Sequence, residues 1–276
     1  MATESGTLET NGARIYYEVD GSGDPVVLIH AGVANLRMWD EQVAALAGRY
    51  RVVRYDTRGY GRTETDDVAF SNRADIAALL DHLGEDAARI VGVSRAGSIA
   101  LDFTLEHPDR VTALVFVAGG IRGYDPPNEP PASVFEEPER LLEAHDWEGL
   151  AEWETQYWVD GPGQPTDRVD PALRALVHGW ILDNYRAEKE EGQPQVLEPP
   201  AAGRLGEIAV PVLSVVGDLD EAGIVATCRH LAEAVPGARF ELVPGTAHML
   251  NLEQPERFNR LVLEFLAAAE AAHLLL

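Results

Sequence analysis

The amino-acid sequence predicts an α/β protein built on a mostly parallel, doubly wound sheet, and three observations lead there. Val26-Val27-Leu28-Ile29, Val111 to Val117 and Val210 to Val216 are largely apolar runs of strand length, as strands buried on both faces of a sheet require. Stretches of helical period separate them, and strand-helix alternation of this kind builds parallel sheets. The third observation is Arg89-Ile90-Val91-Gly92-Val93-Ser94-Arg95-Ala96-Gly97, where a β-branched run ends in a serine among small residues and an alanine-rich helical pattern starts at once. A chain that doubles back so tightly needs small residues on either side of the serine and lifts its hydroxyl clear of its neighbours.

Residues 7 to 19 read as two strands joined at Asn11-Gly12, a hairpin dipeptide, with Ile15, Tyr17 and Val19 on the buried face. Gly21 to Pro25 turns the chain into the Val26 strand, which runs into His30-Ala31-Gly32-Val33-Ala34. A helix is expected from about Met38 to Leu46, then a strand from Arg51 to Tyr55 and the glycine-punctuated loop Asp56-Thr57-Arg58-Gly59-Tyr60-Gly61-Arg62-Thr63. Ser71 to Leu83 places Ile76, Leu79, Leu80 and Leu83 on one helical face, with Ser71 or Asn72 as cap. The serine turn leads into a helix to about His107 and the strand Val111 to Val117. From Gly119 the texture changes: residues 121 to 205 hold paired prolines, dense acids and Trp147, Trp153, Trp158 and Trp180, without a buried-strand run. They read as a helical insertion covering a core of residues 1–120 and 206–276. The α/β rhythm resumes with Val210 to Val216, a helix from about Ile224 to Val235, the strand Phe240 to Val243 and a last helix from about Gln254.

Composition narrows the partners. With 276 residues, 46% hydrophobic and 25% charged, the chain has ample material for one large α/β domain. A net charge of −24 disfavours nucleic acid and anionic membrane surfaces, which repel an acidic protein. Lys189 is the only lysine, which reads as coding bias or salt adaptation. Cys228 is the only cysteine, so no intramolecular disulfide forms and a cytoplasmic setting is expected. Met1-Ala2-Thr3-Glu4-Ser5 lacks the character of a signal peptide, and the apolar run Leu261 to Leu276, broken by Glu264, Glu270 and His273, reads as a core-facing terminal helix.

Serine hydrolysis needs a base to take the hydroxyl proton and an acid to orient that base. Candidates stand where strands end: Asp218 and Asp220 in Gly217-Asp218-Leu219-Asp220, and His248 in Gly245-Thr246-Ala247-His248. In doubly wound sheets the crevice beyond the carboxyl ends of the strands is where ligands bind, so Ser94 and these residues converge on one rim.

Over nearly its whole length the chain resembles the α/β-hydrolase superfamily. The resemblance rests on His30-Ala31-Gly32, the Asp56 to Thr63 loop, the Ser94 turn, Gly217-x-x-Asp220 and Gly245-x-x-His248. It implies an eight-stranded α/β-hydrolase fold with a helical cap, Ser94 as nucleophile, Asp220 as the acid and His248 as the base. It further implies an oxyanion hole made of the backbone N–H groups of Arg95 and Gly32. Ala96 stands where the family's second glycine is usual, with Gly97 after it. Serine at the turn argues against the superfamily's dehalogenases and epoxide hydrolases, which place aspartate there.

Other residues have plainer readings. Asp218 is expected to bond its own loop backbone, and Asp56 and Arg58 to hold their loop together. His30 is expected in a structural hydrogen bond and, with Val33, Trp158 and Met249, at the edge of the substrate pocket. His82, His107, His145, His178, His230 and His273 read as structural or solvent-facing. Arg95, unusual beside a nucleophile, is expected to pair with a protein carboxylate, the competing reading being that it receives a substrate carboxylate. No metal cluster or dinucleotide fingerprint is present, and Gly59-Tyr60-Gly61 lacks the third glycine of one. The sequence thus points to a cofactor-free serine hydrolase acting on a small-molecule ester, lactone or thioester that is largely apolar and neutral, as a monomer or homodimer. Two alternatives stand beside it: a carbon–carbon bond hydrolase of ring-cleavage products with the same triad, and a small-molecule receptor with little turnover.

Overall fold

The computed structural model describes residues 3–273; Met1, Ala2 and the last three residues of the Leu261 to Leu276 run lie outside the described residues, as do the side chains of Ala272 and His273. Asn11-Gly12 turns β1 (Glu4–Thr10) into β2 (Ala13–Gly21), paired antiparallel from Thr10 opposite Ala13 to Glu4 opposite Val19. Gly12 takes φ +69°, a left-handed conformation that glycine adopts without a steric penalty. On β2 the alternation holds for Ile15, Tyr17 and Val19, yet Glu18 is also buried, because Arg54 of the next strand donates to its carboxylate at 2.7 and 3.1 Å.

The remaining strands are β3 (Pro25–Ile29), β4 (Arg51–Tyr55), β5 (Ala88–Val93), β6 (Val111–Val117), β7 (Val212–Gly217) and β8 (Arg239–Val243). Their order is β1-β2-β4-β3-β5-β6-β7-β8. β1, β2 and β4 pair antiparallel, and from β4 to β8 every pairing is parallel. The central strands are inaccessible: Val26 to Ile29, Ile90 to Val93 and Ala113 to Val117 are buried throughout. β7 begins after Pro211, two residues later than the apolar run suggests.

Helices α1 (Asp40–Leu46), α2 (Asn72–Leu83), α3 (Arg95–Glu106), α7 (Ala222–Ala234), α8 (Leu250–Glu253) and α9 (Pro255–His273) flank the sheet. A 3₁₀ turn at Leu36–Trp39 takes the first residues of the expected Met38 helix. Ser71 caps α2 by accepting from the Ala74 N–H at 3.4 Å, and Gly84 closes it at φ +72°. On α9, Phe258, Val262, Phe265 and Leu266 are buried, as the core-facing reading of this run requires. No helix among the described residues is long and apolar enough to cross a membrane.

Between β6 and β7 lie α4 (Glu136–Glu143), α5 (Trp147–Glu154) with a π turn at Thr155–Asp160, and α6 (Pro171–Ala187). Arg174 of α6 ties α5 to the π turn, donating to Glu152 at 2.7 Å and to Asp160 at 2.9 Å. Gln193–Pro194 pairs with Ala69–Phe70 as a two-residue parallel bridge, and Glu64–Thr65 adds to β2. Segments this short carry no periodicity from which to read them.

The backbone packs closely at the end of β5. A Cβ on Gly92 would sit 2.2 Å from the Ala96 carbonyl oxygen, and one on Gly97 would meet the Gly119 Cα at 3.1 Å. Ala96 is itself fully buried, so alanine fits at the second small position while glycine is needed at the first. Gly92→Ala is expected to lower the unfolding free energy by ~1–3 kcal/mol, against ~1 kcal/mol for Ala96→Gly. Denaturant unfolding checks this; equal midpoints for Gly92→Ala and wild type would contradict the close approach.

Candidate active site

Ser94 follows β5 directly and stands at φ +60°, ψ −125°. A non-glycine residue there is strained by ~1–3 kcal/mol and persists only where its surroundings over-determine it. Here they do. The Ser94 N–H donates to the Val117 carbonyl of β6 at 2.8 Å, and its own carbonyl accepts from Gly97 N–H at 2.8 Å. The turn is pinned on both sides and the side chain is directed into a cavity of about 550 Å³.

Asp220 comes from the loop after β7 and His248 from the loop after β8. The His248 Nδ1 lies 2.9 Å from Asp220 Oδ2 and 3.1 Å from Oδ1, and the Glu221 N–H also donates to Oδ1 at 2.7 Å. Both side chains are buried, Asp220 completely. A carboxylate at Nδ1 holds the proton on that nitrogen and leaves Nε2 as a bare acceptor. Nε2 is buried without a hydrogen-bond partner among the described residues, and His248 lines the same cavity as Ser94. The Trp158 ring lies 4.6 Å from the imidazole.

Backbone contacts lock the two loops together. Leu219 N–H donates to the Thr246 carbonyl at 3.0 Å, and a Cβ on Gly217 would collide with that same oxygen at 2.2 Å. Asp218 departs from the expectation that it bonds its own loop: it accepts from Gly245 N–H at 2.7 Å across the gap. It is exposed and makes no contact with His248, which leaves Asp220 as the acid beside the imidazole.

Gly32 and Arg95 both line the cavity. His30 does not: it is fully buried, with Nδ1 on the Ala31 carbonyl at 2.7 Å and Nε2 accepting from Thr57 N–H at 3.0 Å. Burial, reinforced by the nearby Arg95 charge, pushes its pKa down to about 3, so the ring is neutral. Of the expected pocket residues, Val33 and Trp158 line the cavity, whereas His30 and Met249 belong to the core behind it. Asp56 and Arg58 hold their loop as read: Asp56 accepts from Leu36 and Arg62 N–H groups at 2.9 and 2.8 Å, and Arg58 grips Asp75 with two 2.8 Å bonds.

Three residues depart from their sequence readings. Among the described residues Arg95 pairs with no carboxylate; its Nη2 donates to Thr57 Oγ1 at 2.6 Å and its guanidinium lies 4.7 Å from the Tyr60 ring centre. His145, read as structural or solvent-facing, is exposed as that reading allows, but it also lines the cavity beside Trp147. Glu154, to which nothing drew attention, lines it too, accepting from Tyr185 Oη–H at 2.7 Å. Cys228 is buried away from the cavity, with its thiol pushed up to about 12 by desolvation. Among the described residues no group of three or more His, Cys, Asp or Glu side chains could hold a metal ion.

A serine on a strained strand-to-helix turn, with an acid-oriented histidine beyond the ends of later parallel strands, defines the class of α/β proteins that the comparisons also select. A model of the alpha/beta hydrolase family matches residues 26–261. The chain is 31% identical to rhodomycin D methylesterase DauP of Streptomyces sp. (strain C5), over 92% of this chain and 93% of that one. It is 28% identical to the 2-hydroxy-6-oxononadienedioate/2-hydroxy-6-oxononatrienedioate hydrolase of Paraburkholderia phymatum, over 92% and 91%. Among solved structures, the enol-lactonase from Burkholderia xenovorans LB400 superposes with a TM-score of 0.77 at 25% identity, covering 95% of this chain and 99% of that one. The chain belongs to the alpha/beta hydrolase family.

The neutral, buried His30 yields a pH prediction. Its folded pKa lies below its unfolded value, so between about 3 and 6.5 the unfolded chain binds a proton that the folded one does not, and stability is lost as pH falls. In denaturant titrations from pH 7 to pH 4, His30→Gln is expected to show a shallower loss than wild type, by up to ~1.4 kcal/mol per pH unit. Parallel slopes would contradict a neutral His30.

Proposed function

We propose that the protein is a cofactor-free serine hydrolase that cleaves an ester or lactone of small to medium size through an acyl-enzyme on Ser94. The observation that carries this is the buried Asp220–His248 pair, whose Nε2 has no hydrogen-bond partner among the described residues and whose imidazole lines the cavity that Ser94 enters. In this reading His248 Nε2 takes the Ser94 hydroxyl proton as the oxygen attacks the carbonyl carbon. The tetrahedral oxyanion is met by the N–H groups of Arg95 and Gly32. Collapse breaks the bond to the leaving alcohol, which receives the proton from His248, and water repeats the sequence to free the acid. Asp220 keeps the imidazole in the required tautomer and stabilises its charged form.

Residues 121–205 act in this reading as a cap over a core of 1–120 and 206–276, supported by the cavity contacts of Trp158, Ile181 and Tyr185. Those aromatic and aliphatic walls suit the apolar part of a substrate and exclude water from the intermediate. Thioesters fit the same chemistry. The likeness to the Paraburkholderia hydrolase keeps carbon–carbon bond cleavage by the same triad as the alternative. A cytoplasmic monomer or homodimer completes the reading, with the lone buried Cys228 suited to a reducing compartment.

With p-nitrophenyl esters, lactones and a ring-fission product as substrates, Ser94→Ala is expected to lower kcat by at least ~10⁴-fold. Asp220→Asn is expected to cost about 10⁴-fold through the wrong tautomer, with Asp218→Asn within a few-fold of wild type. Steady-state kinetics on folded variants tests this. Turnover that survives Ser94→Ala contradicts the nucleophile, and binding without any turnover would favour the receptor alternative.

A further inference from the structure

We propose that Arg95 is a specificity-determining residue that receives a carboxylate carried by the substrate close to the scissile carbonyl. This rests on the hydrolase reading and deepens it.

In a chain with 46 acidic residues against 22 basic ones, arginines find carboxylates readily. The buried ones all do: Arg54 takes Glu18, Arg58 takes Asp75, Arg73 takes Glu106, and Arg89 takes Asp24 and Glu270. Arg168 and Arg174, on the cap side, take Glu253 and Asp160. Arg95 is half-buried, lines the cavity and has no carboxylate partner among the described residues. Thr57 satisfies one N–H, Tyr60 offers its ring face, and Nε is buried with no acceptor at all. Leaving a charged donor desolvated and unpaired is costly, and a ligand oxygen relieves that cost.

The other charged groups on the cavity wall are already engaged or sit elsewhere. Lys189 donates to the Gly61 and Thr63 carbonyls. Glu154 is bonded to Tyr185, and burial raises its pKa. Glu191 lies over Gly59, and neither it nor Glu188 reaches Arg95. Position then selects the ligand. A Cβ on Gly32 would stand 3.6 Å from Arg95 Nε, so the open N–H lies against the loop that the hydrolase reading assigns to the oxyanion. An anion held there is one to three bonds from the reacting carbonyl, as in a half-ester of a short dicarboxylic acid or a carboxy-substituted lactone. The planar guanidinium suits a carboxylate better than a single-donor cation does.

The test compares monomethyl succinate with methyl valerate in wild type, Arg95→Met and Arg95→Lys, following acid release. Wild type is expected to favour the anionic ester, and Arg95→Met to lower the ratio of the two kcat/KM values at least ~10-fold, mainly through KM. Arg95→Lys, which keeps the charge and loses the fork, should recover part of it. An unchanged ratio, or both esters declining together, overturns the proposal, since an oxyanion or purely structural role predicts that pattern. Calorimetric titration of glutarate into Ser94→Ala protein, with and without Arg95→Met, reads the same site without turnover. Glutarate binding that depends on Arg95 upholds the anion site even if the hydrolase reading fails; the absence of binding, or binding indifferent to Arg95, overturns it.

Discussion

The site depends on one constraint, the left-handed backbone of Ser94 between β5 and α3. Everything that makes this residue available follows from the chain reversing there within a single residue. The reversal holds because β6 supplies the Val117 carbonyl to the Ser94 N–H and because Gly92 leaves room for the Ala96 carbonyl. Strain at one residue is thus sustained by a strand pair and a glycine that take no part in any chemistry. The parallel order of the sheet extends the same logic, since the loops after β7 and β8 open on the same edge as the Ser94 turn. Gly217 and Asp218 then clamp those two loops together, and Asp220 meets His248 with its carboxylate fully removed from water.

Electrostatics divides the molecule into two regimes. In the scaffold, every buried arginine meets a carboxylate, as in Arg58–Asp75 and Arg54–Glu18. Around the cavity the matching stops. Among the described residues Arg95 has no carboxylate partner and His248 Nε2 has no donor. Two partnerless polar atoms on residues lining one cavity, one of them on a charged group, are what a surface completed by a ligand presents.

Much of this was legible in the sequence, for physical reasons that differ by element. Strands buried on both faces leave apolar runs that can be read directly, which is why β3, β5 and β6 fall where they are expected. Ser94, Asp220 and His248 could be picked out because each sits just past a strand, where topology forces convergence. Side-chain direction in loops was not legible. His30 and Met249 turn into the core, and His145 turns toward the cavity, through tertiary contacts that no local pattern encodes. Arg95 is the instructive failure: composition favoured a carboxylate partner, but the nearest groups proved to be Thr57 and Tyr60 from the preceding strand's loop. The Asp218 carboxylate misled in a smaller way, since it accepts from the Gly245 N–H across the gap and not from its own loop.

The central claim is that the strained turn presents a nucleophilic oxygen, and covalent trapping tests it most directly. Trypsin cleaves after Arg89 and Arg95, releasing residues 90–95, in which Ser94 is the only hydroxyl. The folded protein is treated with a fluorophosphonate until turnover ceases, digested and analysed by mass spectrometry. The account predicts one adduct per chain, carried by that six-residue peptide. An adduct on any other peptide, or inactivation that leaves residues 90–95 unmodified, would contradict it.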